Sequence, residues 1–154
     1  MPFSNDVTET IPPDRARLSR SDRVSAAILG FALAVPLALA CYLEPSPLNR
    51  GTHQQLGLPP CSMVVLFGHR CPACGMTTAW AHLVRAHWGD AFRANVGGAL
   101  LGILDLIAVP WLLVCAARRR WLGWVPSSTV VAWVIGAIMV ITLIDWGVRM
   151  IVGS

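Results

Sequence analysis

Val24-Ser25-Ala26-Ala27-Ile28-Leu29-Gly30-Phe31-Ala32-Leu33-Ala34-Val35-Pro36-Leu37-Ala38-Leu39-Ala40-Cys41-Tyr42-Leu43 is a run of twenty residues without a charge. About 20 apolar residues carry an α-helix across a ~30 Å hydrocarbon core, so this run reads as a membrane span. Pro36 inside it predicts a kink. Two further runs have the same character. The second extends from about Val96 to Ala117, with Asp105 as its only charge and Pro110 in its inner half. The third extends from about Thr129 to Val152 and carries Asp145 and Arg149 in its last two turns. In lipid each backbone amide must be satisfied within its own segment, which makes helices the expected form. The expected fold is therefore an all-α integral membrane protein with three transmembrane helices.

Composition agrees with that reading. Of 154 residues 55% are hydrophobic and 13% charged, and the mean hydropathy is +0.60, outside the range of soluble domains. All twelve basic residues are Arg, and they mark helix ends rather than one patch, so the net charge of +4 does not point to nucleic acid. The expected partners are the lipid bilayer and a protein partner within it. Residues 1–23 are polar, contain Pro12 and Pro13, and read as a disordered tail. Ala38, three residues before Cys41, and the long polar leader favour a retained first helix over a cleaved lipoprotein signal. Residues 24–152 form the single membrane domain.

Arginine placement sets an expected orientation. Arg15, Arg17, Arg20 and Arg23 precede the first span, and Arg118, Arg119 and Arg120 follow the second. Three crossings put both clusters on one side, and positive residues favour the cytoplasm. The tail is then inside and the 44–95 connection outside, as in a bacterial inner membrane. A fourth spanning helix over Ser62 to Val84 would bury His69, Arg70 and His82 and send the triple Arg outward, so it is rejected. Trp88, Trp121 and Trp124 fall where interfacial anchors are expected, while Trp80, Trp111 and Trp133 read as packing residues.

The chemistry is concentrated in Cys71-Pro72-Ala73-Cys74-Gly75. Pro72 suits the first turn of a helix, predicting a short interfacial helix over about 72–87 that carries the motif. At 100° per residue Cys71, Cys74, Thr78, His82 and Arg85 would share an arc of about 80°. A thiol at a helix N-terminus has a stabilised thiolate, the basis of redox C-x-x-C pairs. The same spacing suits two ligands of zinc, with His82 or His69 completing the set. Three readings stay open: a structural pair, a thiol–disulfide pair with Cys61 as resolving thiol, and a metal site at Cys71, Cys74 and His82. Cys115 reads as inert.

Asp105 lies roughly 14 Å below the outer end of its helix and needs a partner or a proton. Arg85 or Arg93 is the expected partner, and Asp105 and Arg85 join Cys71 and Cys74 as candidate catalytic residues around one outward pocket. Asp145 and Arg149, four apart, are expected to pair along one helix face. Gly89 is expected to end the motif helix, with Asp90 and Asn95 as caps of the helical stretches beyond it.

Cys71-Pro72-Ala73-Cys74-Gly75-Met76-Thr77-Thr78-Ala79, with Gly89-Asp90 and Asn95 further along the chain, resembles the bacterial membrane family catalogued as domain of unknown function 2752. That family's pattern is C-P-x-C-G-hydrophobic-T-R-A, then G-D, then N-P at the next membrane helix. The resemblance spans about Gly68 to Val114. Thr78 stands in place of the family's Arg and Val96 in place of its Pro. The resemblance implies a membrane fold and no reaction. Two functions remain: a thiol or metal site on the outer membrane face, or a small non-enzymatic membrane subunit in which the cysteines are a structural staple.

Overall fold

The computed structural model describes residues 17–152, apart from Trp124 and Pro126. Most of the tail expected to be disordered, including Arg15, and the Trp124 anchor lie outside the described residues. Three helices are long and apolar enough to cross a membrane: α1, Arg20–Tyr42; α5, Val96–Arg118; and α6, Ser128–Val152. Helix α1 begins earlier than Val24 because Ser19 caps it, its hydroxyl accepting the Asp22 N–H at 3.1 Å. Pro36 remains within the helix.

Helices α1 and α5 run antiparallel and make the most extensive pairing in the fold. Gly30 lets them approach closely, since a Cβ there would lie 2.9 Å from Leu113 Cδ2. Ala26, Leu112 and Ala116 pack beside it as a small apolar cluster. At this end the Leu18 N–H donates to Arg119 O at 3.1 Å and Arg23 Nε to Ala116 O at 3.0 Å. The two arginine clusters therefore share one end of the bundle, as three crossings require.

Helix α6 is peripheral. It meets α5 where Gly97 faces the Thr142 side chain, and only Ile138 of α6 is buried. Most of its other apolar side chains face outward, which suits hydrocarbon. Trp133 is among them, 75% exposed, so the expectation that it packs internally is corrected: nothing among the described residues covers that face of the helix.

The connection between α1 and α5 folds into short pieces. A 3-10 turn, Thr52–Leu56, is followed by α2, Ser62–Phe67; α3, Met76–Leu83; and α4, Trp88–Ala94. No helix continues from Ser62 to Val84, because Gly68 and Gly75 both adopt left-handed backbone. Helix α3 lies along the first turns of α5. Gly98 of α5 faces Met76, and Gly102 faces Trp80 and Leu83. The Trp80 indole N–H donates to Gly98 O at 2.7 Å. Ala79, Leu83, Ala91, Ala94 and Ala99 fill the space between α3, α4 and α5, and these small side chains permit the close approach. Helix α3 thus runs along the start of α5 and α4 returns to Asn95, a short helical hairpin against the end of the bundle opposite the arginine clusters.

This hairpin differs from the expected helix over 72–87. The chain turns at Ala86, in left-handed conformation with φ 58°, and not at Gly89, which lies inside α4. Asp90 is not a cap. It sits in the first turn of α4 and pairs with Arg93 at 3.0 Å on the surface. Asn95 does cap α5, its Oδ1 accepting the Gly98 N–H at 2.6 Å.

Candidate functional site

The thiol motif is a turn, not the first turn of a helix. The Cys74 N–H donates to Cys71 O at 3.0 Å and the Met76 N–H to Ala73 O at 3.1 Å, closing two successive tight turns. Gly75, inside the second of them, adopts φ 91°. A Cβ at Gly75 would also lie 2.5 Å from Ala94 O and 2.7 Å from Asn49 O, so space and conformation both demand glycine. The turn is held from below by Asn95, whose Nδ2 donates to Pro72 O at 2.9 Å and Cys74 O at 3.1 Å. One buried amide therefore caps α5 and fixes the thiol turn.

The turn places the Cys71 and Cys74 sulfurs 3.3 Å apart. Cys61, just before α2, brings a third sulfur to the same point, and the three Sγ atoms all lie within 4.8 Å of one another. None of the three forms a disulfide. They line a cleft of about 360 Å³ whose far side is built from Arg50, His53 and Gln54. Thr78, the residue standing where the family pattern has Arg, closes the floor. It is fully buried and its hydroxyl bonds that of Thr52 at 2.8 Å, while Thr52 Oγ1 accepts the Ser46 N–H.

The three thiols differ electrostatically. The Val64 backbone N–H, with help from the neighbouring sulfurs, lowers the Cys61 thiol to about 7. Burial, reinforced by the Cys71 sulfur, pushes Cys74 up to about 12. Cys61 is thus far more readily ionised than Cys74.

The expected stripe from Cys71 to Arg85 does not form, because the helix starts only at Met76. His82 faces away from the cysteines and groups with His87 and Asp90, ligand atoms again within 4.8 Å of one another. Its ring lies 6.0 Å from that of His87, and Nδ1 is buried without a hydrogen-bond partner among the described residues. Burial is the main reason its pKa falls below the ordinary histidine value. The expected grouping of His82 with Cys71 and Cys74 is therefore corrected. Arg85 is engaged by backbone carbonyls of Ala40, Ala81 and Cys41, where it locks the hairpin to the end of α1. It does not reach Asp105. Asp105 is buried on α5, has no ion pair among the described residues, and lies outside the thiol cleft. The single outward pocket expected to join Asp105, Arg85 and the thiols is not present among the described residues.

Asp145 and Arg149 pair as expected, at 2.9 Å, and Arg149 also donates to Ala94 O. Trp146 Nε1 donates to Arg70 O at 2.6 Å. The end of α6 is thereby stitched to the residues flanking the motif. Sequence reasoning missed the bracing by Asn95 and the seat of Thr52. Gly75 directly after the second cysteine was the available signal that a turn, rather than a helix, carries the thiols.

Residues 61–109 match the family described as a protein of unknown function (DUF2752), in agreement with the resemblance read from the motif. The matched stretch begins at Cys61 and so takes in all three clustered thiols, the α3–α4 hairpin and the first half of α5. No curated protein and no solved structure matches the chain.

Proposed function

We propose that this is a membrane-embedded metal-binding protein that holds a soft divalent ion, zinc foremost, through Cys61, Cys71 and Cys74 on the outer face of a bacterial inner membrane. The observation that carries the reading is the mutual proximity of three sulfurs drawn from two separate segments. Thiolates about 2.3 Å from a tetrahedral zinc ion stand roughly 3.8 Å from one another, which the cluster matches with little movement. A staple needs only two sulfurs; the third, within 4.8 Å of both, supplies the extra ligand that a metal site uses. Three thiolates leave one position of a tetrahedral ion to another donor, and the adjoining cleft supplies the room. The metal, when bound, would be a Lewis acid and an electrostatic clamp between α2 and the α3–α4 hairpin. The chain's own part is to hold the sulfurs in place through Gly75 and Asn95 and to supply one readily ionised ligand, Cys61.

A second reading is favoured by the 3.3 Å separation of the Cys71 and Cys74 sulfurs: a disulfide between them, in an oxidising compartment, that staples the turn. Metal analysis and intact mass of protein purified with and without reductant separate the two. The metal reading expects about one zinc per chain, lost in Cys61→Ser as well as in Cys71→Ser and Cys74→Ser. Metal-free protein lighter by two hydrogens at Cys71 and Cys74, with Cys61→Ser unaltered, would replace it with the staple.

A further inference from the structure

Beside the thiol cleft lies a second cavity of about 390 Å³, lined by Arg50, His69, Arg70, Trp146 and Arg149. Three arginines line it from three parts of the chain: Arg50 in the loop after α1, Arg70 just before the thiol turn, and Arg149 in the last turn of α6, whose guanidinium is already held by Asp145 and Ala94 O. Asp145, on the same helix as Arg149, is already paired with it at 2.9 Å. Arg50 and Arg70 have no carboxylate partner among the described residues. Like charges facing one cavity repel, and folding must bear that cost unless an anion occupies the space.

The position is built rather than accidental. The Trp146 indole N–H donates to Arg70 O, which ties the Arg70 wall to α6, and Arg149 donates to Ala94 O, which ties α6 to the end of α4. Guanidinium groups present planar forks that match phosphate oxygens in pairs. Arg149 and Trp146 belong to the end of a membrane-crossing helix, where tryptophan and arginine meet lipid headgroups.

From this geometry we infer that the cavity between Arg50, Arg70 and Arg149 binds a phosphate-bearing anion, supplied by an anionic lipid headgroup or by a free phosphate compound. Arg50 also lines the thiol cleft, so the bound anion sits next to the sulfur cluster. The site stands independently of whether those sulfurs hold metal.

The test titrates detergent-solubilised full-length protein with inorganic phosphate in one arm and short-chain phosphatidylglycerol in the other, with short-chain phosphatidylcholine as the zwitterionic control. Binding is read from isothermal titration calorimetry and from the rise in melting temperature. Saturable binding of either anionic probe, weakened at least about tenfold in Arg50→Gln and in Arg70→Gln, is the expected result. Phosphate active alone assigns the site to free anions; phosphatidylglycerol active alone assigns it to the headgroup. Arg70→Lys, which keeps the charge and loses the fork, should bind with intermediate affinity. Equal binding of phosphatidylcholine and phosphatidylglycerol, no binding of any probe, or unchanged affinity in both Gln variants overturns the inference. Metal content measured on the same samples keeps a failure of the thiol reading separate, because neither Gln substitution touches a sulfur.

Discussion

Cys61 and Cys74 belong to one sulfur cluster but are unequal thiols, because a backbone N–H stabilises one thiolate and burial disfavours the other. Cys61 has the Val64 N–H near its sulfur, whereas Cys74 is desolvated and shares its proton environment with Cys71. In reduced, metal-free protein the direction of each shift fixes the order of reactivity. A lowered pKa means that the Cys61 thiolate is populated above about 7 and lost as pH falls below it. A raised pKa keeps Cys74 protonated up to about 12. Alkylation at Cys61 should therefore rise about tenfold per pH unit below neutrality and level off above it, while Cys74 stays slow throughout. Peptide mapping after timed iodoacetamide treatment reads both rates. Preferential modification of Cys74 would contradict the electrostatic ordering.

Among the helices, glycine placement decides which surfaces touch. Helix α5 presents Gly97 to Thr142 of α6, and Gly98 and Gly102 to α3. A larger side chain at Gly97 must displace α6, because its Cβ would overlap the Thr142 side chain. Gly97→Val is expected to cost about 1–3 kcal/mol, the range for overpacking a close contact. It should also loosen Trp146 and Arg149 from their carbonyl partners. Gly136→Val, at a position with nothing within 4 Å, is the matched control and should leave thermal unfolding in detergent unchanged. If both variants melt alike, the α5–α6 contact is not what holds the third helix. Gly75 acts differently: its left-handed backbone ends the thiol turn and delays α3 until Met76.

Across the molecule the chain divides into a two-helix scaffold, a peripheral third helix, and a folded cap that carries the candidate thiol and arginine sites at one end. Arg17 to Arg23 and Arg118 to Arg120 meet at the other end. If that arginine-rich end faces the cytoplasm, a membrane-impermeant maleimide added to intact cells after chelation and reduction should label Cys61 from outside. A reporter fused to the N-terminus should be active only in the cytoplasm. Labelling of Cys61 solely in inverted vesicles would reverse the orientation and place the thiol cleft inside.

The three spans were determined by the sequence itself, because hydrocarbon demands long, predominantly apolar helices and Val24–Leu43, Val96–Ala117 and Thr129–Val152 are among the few stretches able to comply. The Asp145–Arg149 pair and the Asn95 cap were legible for a related reason: both are local, within about one helical turn. The candidate site was legible only in part. Cys71 and Cys74 belong to one short motif, but Cys61 joins them through a fold-back fixed by Gly68 and Gly75, and Asn95 braces the turn from the start of α5. Arg50, Arg70 and Arg149 likewise meet only when three distant segments are packed together. Helical periodicity projected the thiols onto one stripe with His82 and Arg85; a single left-handed glycine broke that periodicity. Tertiary structure then decided the neighbours, since which side chains meet across a loop depends on packing that no spacing within one segment encodes.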